Sequence, residues 1–102
     1  MSMPLAATVL AGYNFSVGNP AIRVKVLFFG RLKEIVGRAE DSVDLAEGAP
    51  IEELFARYAA RDPELARFRA SLVASRNQEF AAWTTPLRSG DEVAFLPPVS
   101  GG

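Results

Sequence analysis

The sequence predicts an α+β fold in which one main helix packs on one face of a mixed sheet. Three observations carry that prediction. Residues 22–29 place Ile22, Val24, Val26 and Phe28 on one face of a strand. Residues 51–58 place Ile51, Leu54, Phe55 and Tyr58 at i, i+3, i+4 and i+7, the apolar stripe of an amphipathic helix. Strand-like segments lie both before and after that helix. The predicted order is strand, short helix, strand, long helix, short helix, short strands, strand. At 102 residues the chain is long enough for one domain with a small core.

Residues 1–21 read as a flexible extension, 22–96 as the folded domain and 97–102 as a tail. The extension has no Lys or Arg and no clean amphipathic period, and Gly12, Gly18, Asn19 and Pro20 read as turn or linker. Without a basic start it is a poor signal peptide, and no function is assigned to it. In the first strand, the face opposite the core begins with Arg23 and Lys25 and ends with Leu27 and Phe29. That apolar end either packs under the extension or a loop, or is an exposed patch for a partner. Gly30 breaks the strand. A short helix follows from Arg31 to Val36, with Gly37 at its C-terminal stop.

Residues 41–45 alternate again, Val43 and Leu45 inward and Ser42 and Asp44 outward, and should pair antiparallel with the first strand. Glu40, Asp41 and Asp44 read as a solvated acidic edge rather than a metal or acid–base cluster. Pro50 suits the first helical position, Glu52 and Glu53 the positive end of the helix, and Arg57 and Arg61 its far end. Glu53 and Arg57 have the spacing of an ion pair. Asp62 is placed to cap a second short helix beginning at Pro63, which would bury Leu65 and Phe68. A short strand over 71–76, a tight turn at Asn77-Gln78-Glu79 and a further strand over 80–83 complete this region. Trp83 reads as a core or rim anchor rather than a ligand platform. Arg88-Ser89-Gly90-Asp91 is a polar turn into the last strand, 92–96.

Composition narrows the function. The net charge is −1 with no basic block, so neither nucleic acid nor an anionic membrane is expected as a partner. There is no Cys and no His, hence no thiolate nucleophile, no disulfide and none of the usual zinc ligands. Acid–base work would fall to a shifted carboxylate or to Lys25 or Lys33, the only two lysines. Such a chain is better suited to binding or carrying than to catalysis by itself.

The C-terminal segment is the most informative. In the last strand Val93 and Phe95 share one face, Ala94 and Leu96 the other. If this strand lies beside the first, Ala94 and Leu96 join Leu27 and Phe29 in one apolar surface. Pro97 and Pro98 then stop sheet pairing and stiffen the exit. Val99, Ser100, Gly101 and Gly102 follow, reaching up to roughly 14 Å when extended. A Gly-Gly end packs nothing into a core, but it can thread a narrow channel and present its carboxyl to another protein's active site.

Val26-Leu27-Phe28-Phe29-Gly30, Leu32-Lys33-Glu34-Ile35-Val36-Gly37, the segment Leu87 to Phe95 and the end Pro97-Pro98-Val99-Ser100-Gly101-Gly102 resemble the small subunit of molybdopterin synthase, over residues 22–102. The resemblance implies a ubiquitin-like β-grasp fold and a cytoplasmic sulfur carrier. Gly102 would be adenylated by an E1-like activating enzyme, which uses ATP, and converted to a thiocarboxylate. Phe29, Leu96, Pro97, Pro98, Val99, Ser100 and Gly101 would bind the partner. The tail would enter the large subunit of a heterotetramer and give its sulfur to precursor Z, cyclic pyranopterin monophosphate. No cofactor would be bound by this chain. Arg76 departs from the pattern, standing where relatives often have an apolar residue, and the extension is outside it. The alternatives are a sulfur carrier for thiazole or cysteine synthesis, a ubiquitin-like modifier joined through Gly102, and a plain interaction module.

Overall fold

Five strands form one mixed sheet in the computed structural model, which describes residues 21–97. The elements are β1 (Ala21–Phe28), α1 (Gly30–Val36), β2 (Glu40–Ala46), α2 (Ile51–Arg61), a 3-10 helix (Pro63–Ser71), β3 (Val73–Arg76), β4 (Glu79–Ala81) and β5 (Glu92–Leu96). The strand order is β2-β1-β5-β3-β4. β1 and β5 are parallel at the centre; the other pairs are antiparallel. The extension up to Pro20 and the tail from Pro98 lie outside the described residues, and β1 begins at Ala21, inside the segment assigned to the extension.

The alternation in β1 is realised as expected. Ile22, Val24, Val26 and Phe28 are buried, while Arg23 and Lys25 are exposed. The α2 stripe covers this face: Ile51, Leu54, Phe55 and Tyr58 are all buried. Phe95 of β5 completes the aromatic centre. Its ring lies 5.2 Å from Phe55 and is stacked on Trp83 at 5.6 Å. Trp83 is thus a rim anchor, with the Arg69 guanidinium 3.6 Å above its ring. Among the described residues no helix is long and apolar enough to cross a membrane.

Several local expectations are corrected. Pro50 is the residue before α2, with extended backbone, and pairs with Pro86 in an isolated bridge instead of opening the helix. The Glu53–Arg57 ion pair is absent from the pairs formed among the described residues. Asp62 makes no side-chain cap; the following 3-10 helix tightens from Pro63 and runs on to Ser71, burying Leu65 fully and Phe68 only in part. The turn after β3 is the two residues Asn77 and Gln78, both with positive φ (52° and 71°), so Glu79 already belongs to β4. Arg76, on the inward side of β3, resolves its conflict with the core at the sheet's margin: its guanidinium reaches the Pro86 carbonyl at 3.4 Å.

The acidic residues near β2 divide between the two faces. Glu40 and Asp44 stay on the solvated face in ion pairs with Lys25 and Arg23. Asp41 has the inward parity of Val43 and Leu45 and turns toward α2, where its carboxylate accepts the Tyr58 hydroxyl at 2.8 Å.

Candidate docking surface at the root of the tail

β5 is held at both ends, and this fixes where the chain leaves the fold. At its start, the buried Asp91 carboxylate accepts the Arg88 N–H at 2.8 Å and the Asn77 side-chain amide at 3.0 Å. Asn77 returns two bonds to the neighbouring residue: its Oδ1 accepts the Glu92 N–H at 2.9 Å and its own N–H donates to the Glu92 carbonyl at 2.7 Å. The left-handed backbone of Asn77 makes this clamp possible, and Asn is among the residues that tolerate it best. The clamp ties the β3–β4 hairpin to β5. At the other end Phe95 is fully buried, so the strand cannot slide.

The face of the sheet turned away from α2 changes character along β1. It begins with ion-paired Arg23 and Lys25 and ends apolar. There Leu27, Phe29, Ala94 and Leu96 do come together, as the sequence suggests, around a groove of about 290 Å³ that also takes in Ser75 and Phe80. Phe29 is 44% exposed and Phe80 80% exposed. A second hollow of about 390 Å³ lies alongside, sharing Leu27 and Phe29 and adding Gly30 and Lys33. Pro97 is exposed next to it: its Cγ sits 3.9 Å from where a Cβ on Gly30 would be. Gly30 has a φ of +55°, which turns β1 sharply into α1 and keeps this corner open.

Of the residues predicted for the site, the structure brings Phe29, Leu96 and Pro97 to one end of the sheet. Pro98, Val99, Ser100, Gly101 and Gly102 lie outside the described residues. Phe80 was missed. It sits opposite Ser75 in the hairpin, and Ser75 opposite Ala94, so all three share the outer face. A two-residue turn at Asn77-Gln78 would have given that register from sequence; a three-residue turn leaves it undefined. Val73, 39% exposed and opposite Leu96, also lies on the outer face, a placement set by the pairing of β3 with β5.

A helix laid across a mixed sheet with two parallel central strands and the order β2-β1-β5-β3-β4 defines the ubiquitin-like β-grasp class. The ThiS family model matches residues 26–102, and the chain belongs to that family. It is 37% identical over 83 residues to the molybdopterin synthase sulfur carrier subunit of Chlamydomonas reinhardtii, covering 79% of this chain and 100% of that protein. It is 39% identical over 82 residues to the protein of the same name from Escherichia coli strain K12, covering 78% and 99%.

Among solved structures it is similar to a putative molybdopterin converting factor subunit 1 from Pyrococcus furiosus, with TM-score 0.69, 27% identity and coverage of 76% and 99%. The H. volcanii small archaeal modifier protein 1 matches with TM-score 0.69, 26% identity and coverage of 76% and 99%. A complex of subunits 1 and 2 of the molybdopterin-converting factor from Helicobacter pylori matches with TM-score 0.56, 26% identity and coverage of 79% and 100%.

Proposed function

We propose that the chain is the sulfur-carrier subunit of a molybdopterin synthase, working in the cytoplasm with its C-terminal Gly102 as the carrying group. An E1-like enzyme uses ATP to adenylate the Gly102 carboxylate, with pyrophosphate leaving. A sulfur nucleophile then displaces AMP and leaves a thiocarboxylate. The tail enters the large subunit of a heterotetramer, the sulfur passes to cyclic pyranopterin monophosphate, and Gly102 returns to a carboxylate for the next cycle. This chain holds no cofactor in that scheme. The side chains that do acid–base work belong to the partners, in keeping with a sequence that has no His and no Cys.

The observation that carries this reading is the continuity of an exposed apolar surface with the exit of the tail. Phe29, Phe80 and Leu96 sit at the end of the sheet where Pro97 leaves it. A partner that covers this surface also meets Pro97, the residue that leads into the tail, at a fixed place beside Gly30.

The test is the intact mass of the chain after incubation with an activating enzyme, ATP and a sulfur donor. A gain equal to one sulfur replacing one oxygen, localised to Gly102, is expected. Removing Gly102 should abolish that gain and leave the thermal transition in place. An unchanged mass with a competent activating enzyme would count decisively against the carrier reading. The likeness to a small archaeal modifier favours a second reading, in which Gly102 forms isopeptide bonds to target lysines. Adducts on other proteins that disappear with Gly102 would support it.

A further inference from the structure

The opposite edge of the sheet carries a feature that sulfur transfer leaves unused. β2 is an edge strand, and between it and α2 lies a groove of about 290 Å³ lined by Asp41, Ser42, Val43, Arg57, Tyr58 and Arg61. Phe28 donates its N–H to the Ala39 carbonyl, which sets the register of hydrogen-bonded pairs. Asp41, Val43 and Leu45 therefore direct their backbone groups to β1, and Ser42 and Asp44 direct theirs outward. The Ser42 N–H is taken by the Asp41 carboxylate at 2.9 Å. The Ser42 carbonyl and both Asp44 backbone groups remain outward-facing.

The charge of this groove is opposite in sign to that of the chain. Asp41 is the acidic group within it, and its charge is matched by Arg38 at 3.1 Å, with Tyr58 donating as well. Arg57 and Arg61 form no ion pair among the described residues; Arg61 lies over the Tyr58 ring at 5.8 Å. Glu53, one turn before Arg57, is not within ion-pair distance of it. On the outer face of β2, Glu40 and Asp44 are paired with Lys25 and Arg23. The groove thus has a net positive wall in a chain of net charge −1.

The spacing of that wall selects a shape. Residues four apart on a helix are separated by about 6 Å along its axis. Alternate residues of an extended strand, which share a face, are separated by between about 6 and 7 Å. Two carboxylates at alternate positions of an extended segment that runs alongside α2 have the spacing of Arg57 and Arg61. We infer that the β2–α2 groove is a second docking site, taking an extended acidic segment of a partner protein that lies along β2 with alternate carboxylates on Arg57 and Arg61. The segment gains backbone hydrogen bonds at Ser42 and Asp44 and a contact with half-exposed Val43, the usual mode of strand addition. This site lies at the β2 edge, with β1 and β5 between it and β3, and on the other side of the sheet from Phe80. Both surfaces can be occupied together, so a carrier held here keeps its outer face free.

The test uses the full chain and a fluorescein-labelled peptide, Val-Asp-Val-Asp-Val-Gly, read by fluorescence anisotropy and by amide chemical shifts. Saturable binding is expected, with shifts confined to residues 41–45 and 57–61. The double variant Arg57→Ala with Arg61→Ala should weaken it at least about tenfold, about the loss of two modest charge contacts. Phe80→Glu should leave it unchanged. No saturable binding, retained binding in the double variant, or shifts centred on Leu27, Phe29 and Phe80 would each overturn the proposal. Displacement by inorganic phosphate as effective as by unlabelled peptide would mean a small-anion site instead. A concentration-dependent dimer that the double variant abolishes would make a second copy of the chain the occupant.

Discussion

Tyr58 carries two roles in one side chain. Its ring packs edge-on against Phe28 at 4.9 Å, and its hydroxyl leaves the core to reach Asp41. Burial pushes the Asp41 carboxyl up, but the Tyr58 hydroxyl, the Ser42 N–H and Arg38 together outweigh it and hold the group below its ordinary value. Burial, then the bond to Asp41 and its charge, push the Tyr58 phenol well above its ordinary value. The lowered acid contributes stability at neutral pH that is lost as pH falls below the usual carboxylate range. The raised phenol keeps its proton in the folded state, so stability falls as pH rises past the unfolded tyrosine value of about 10. Tyr58→Phe should cost about 1–2 kcal/mol at pH 7. It should flatten both the acid and the alkaline loss in urea titrations run across pH, and a curve parallel to the parent's at both ends would refute this account. The stripe that buries Tyr58 was legible in the sequence. Its hydroxyl partner was legible in principle, because Asp41 shares parity with Val43 and Leu45; the eye groups it instead with Glu40 and Asp44 by charge.

At the scale of elements, the parts set by strong periodicity came out as read, and the parts set by turn chemistry did not. β1 and α2 bury every residue of the stripes read from the sequence, Ile22, Val24, Val26 and Phe28 on one and Ile51, Leu54, Phe55 and Tyr58 on the other, because each stripe is continuous and has a partner to cover it. Leu54 is fully buried at the centre of that contact, and Leu54→Ala should cost about 3–4 kcal/mol, seen as an earlier urea midpoint with an unchanged slope. The 3-10 helix was underestimated in length because its sequence has little amphipathic order; Leu65 alone is buried in it. The β3–β4 turn was misjudged by one residue. Both of its central residues need positive φ, for which Asn-Gly is the favoured pair, and here the second is Gln78. Gln78→Gly should relieve that strain and raise stability by about 0.5–1 kcal/mol in the same titration. A loss would mean that the Gln78 side chain contributes more through its place in the outer groove than its backbone costs.

For the whole molecule, the two faces of the sheet have separable duties. The inner face is a sealed aromatic and aliphatic core, whereas the outer face leaves Phe29, Phe80 and Val73 in solvent at the end where the chain departs. Large aromatic rings left in water gain nothing for the fold, and a cluster of them beside one exit has a physical use when a partner covers it. The sequence made half of this surface legible through the parity of β1 and β5; the other half depends on hairpin register, which only the Asn77–Asp91 clamp discloses. The separation can be measured with one substitution. Phe80 is so exposed that Phe80→Glu removes almost no buried area, so the thermal midpoint should move by no more than about 2 °C. The same change places a charge in the middle of an apolar contact that must be desolvated on docking. Under the proposed function, affinity for a molybdopterin synthase large subunit, measured by calorimetry, should therefore fall at least about tenfold. Leu96→Glu and Phe29→Glu should act in the same direction, with a larger share of the loss appearing as stability because both are less exposed. Unchanged affinity in all three would remove the outer face from the docking surface, while a collapse of the thermal transition in Phe80→Glu would show that the ring supports the fold after all.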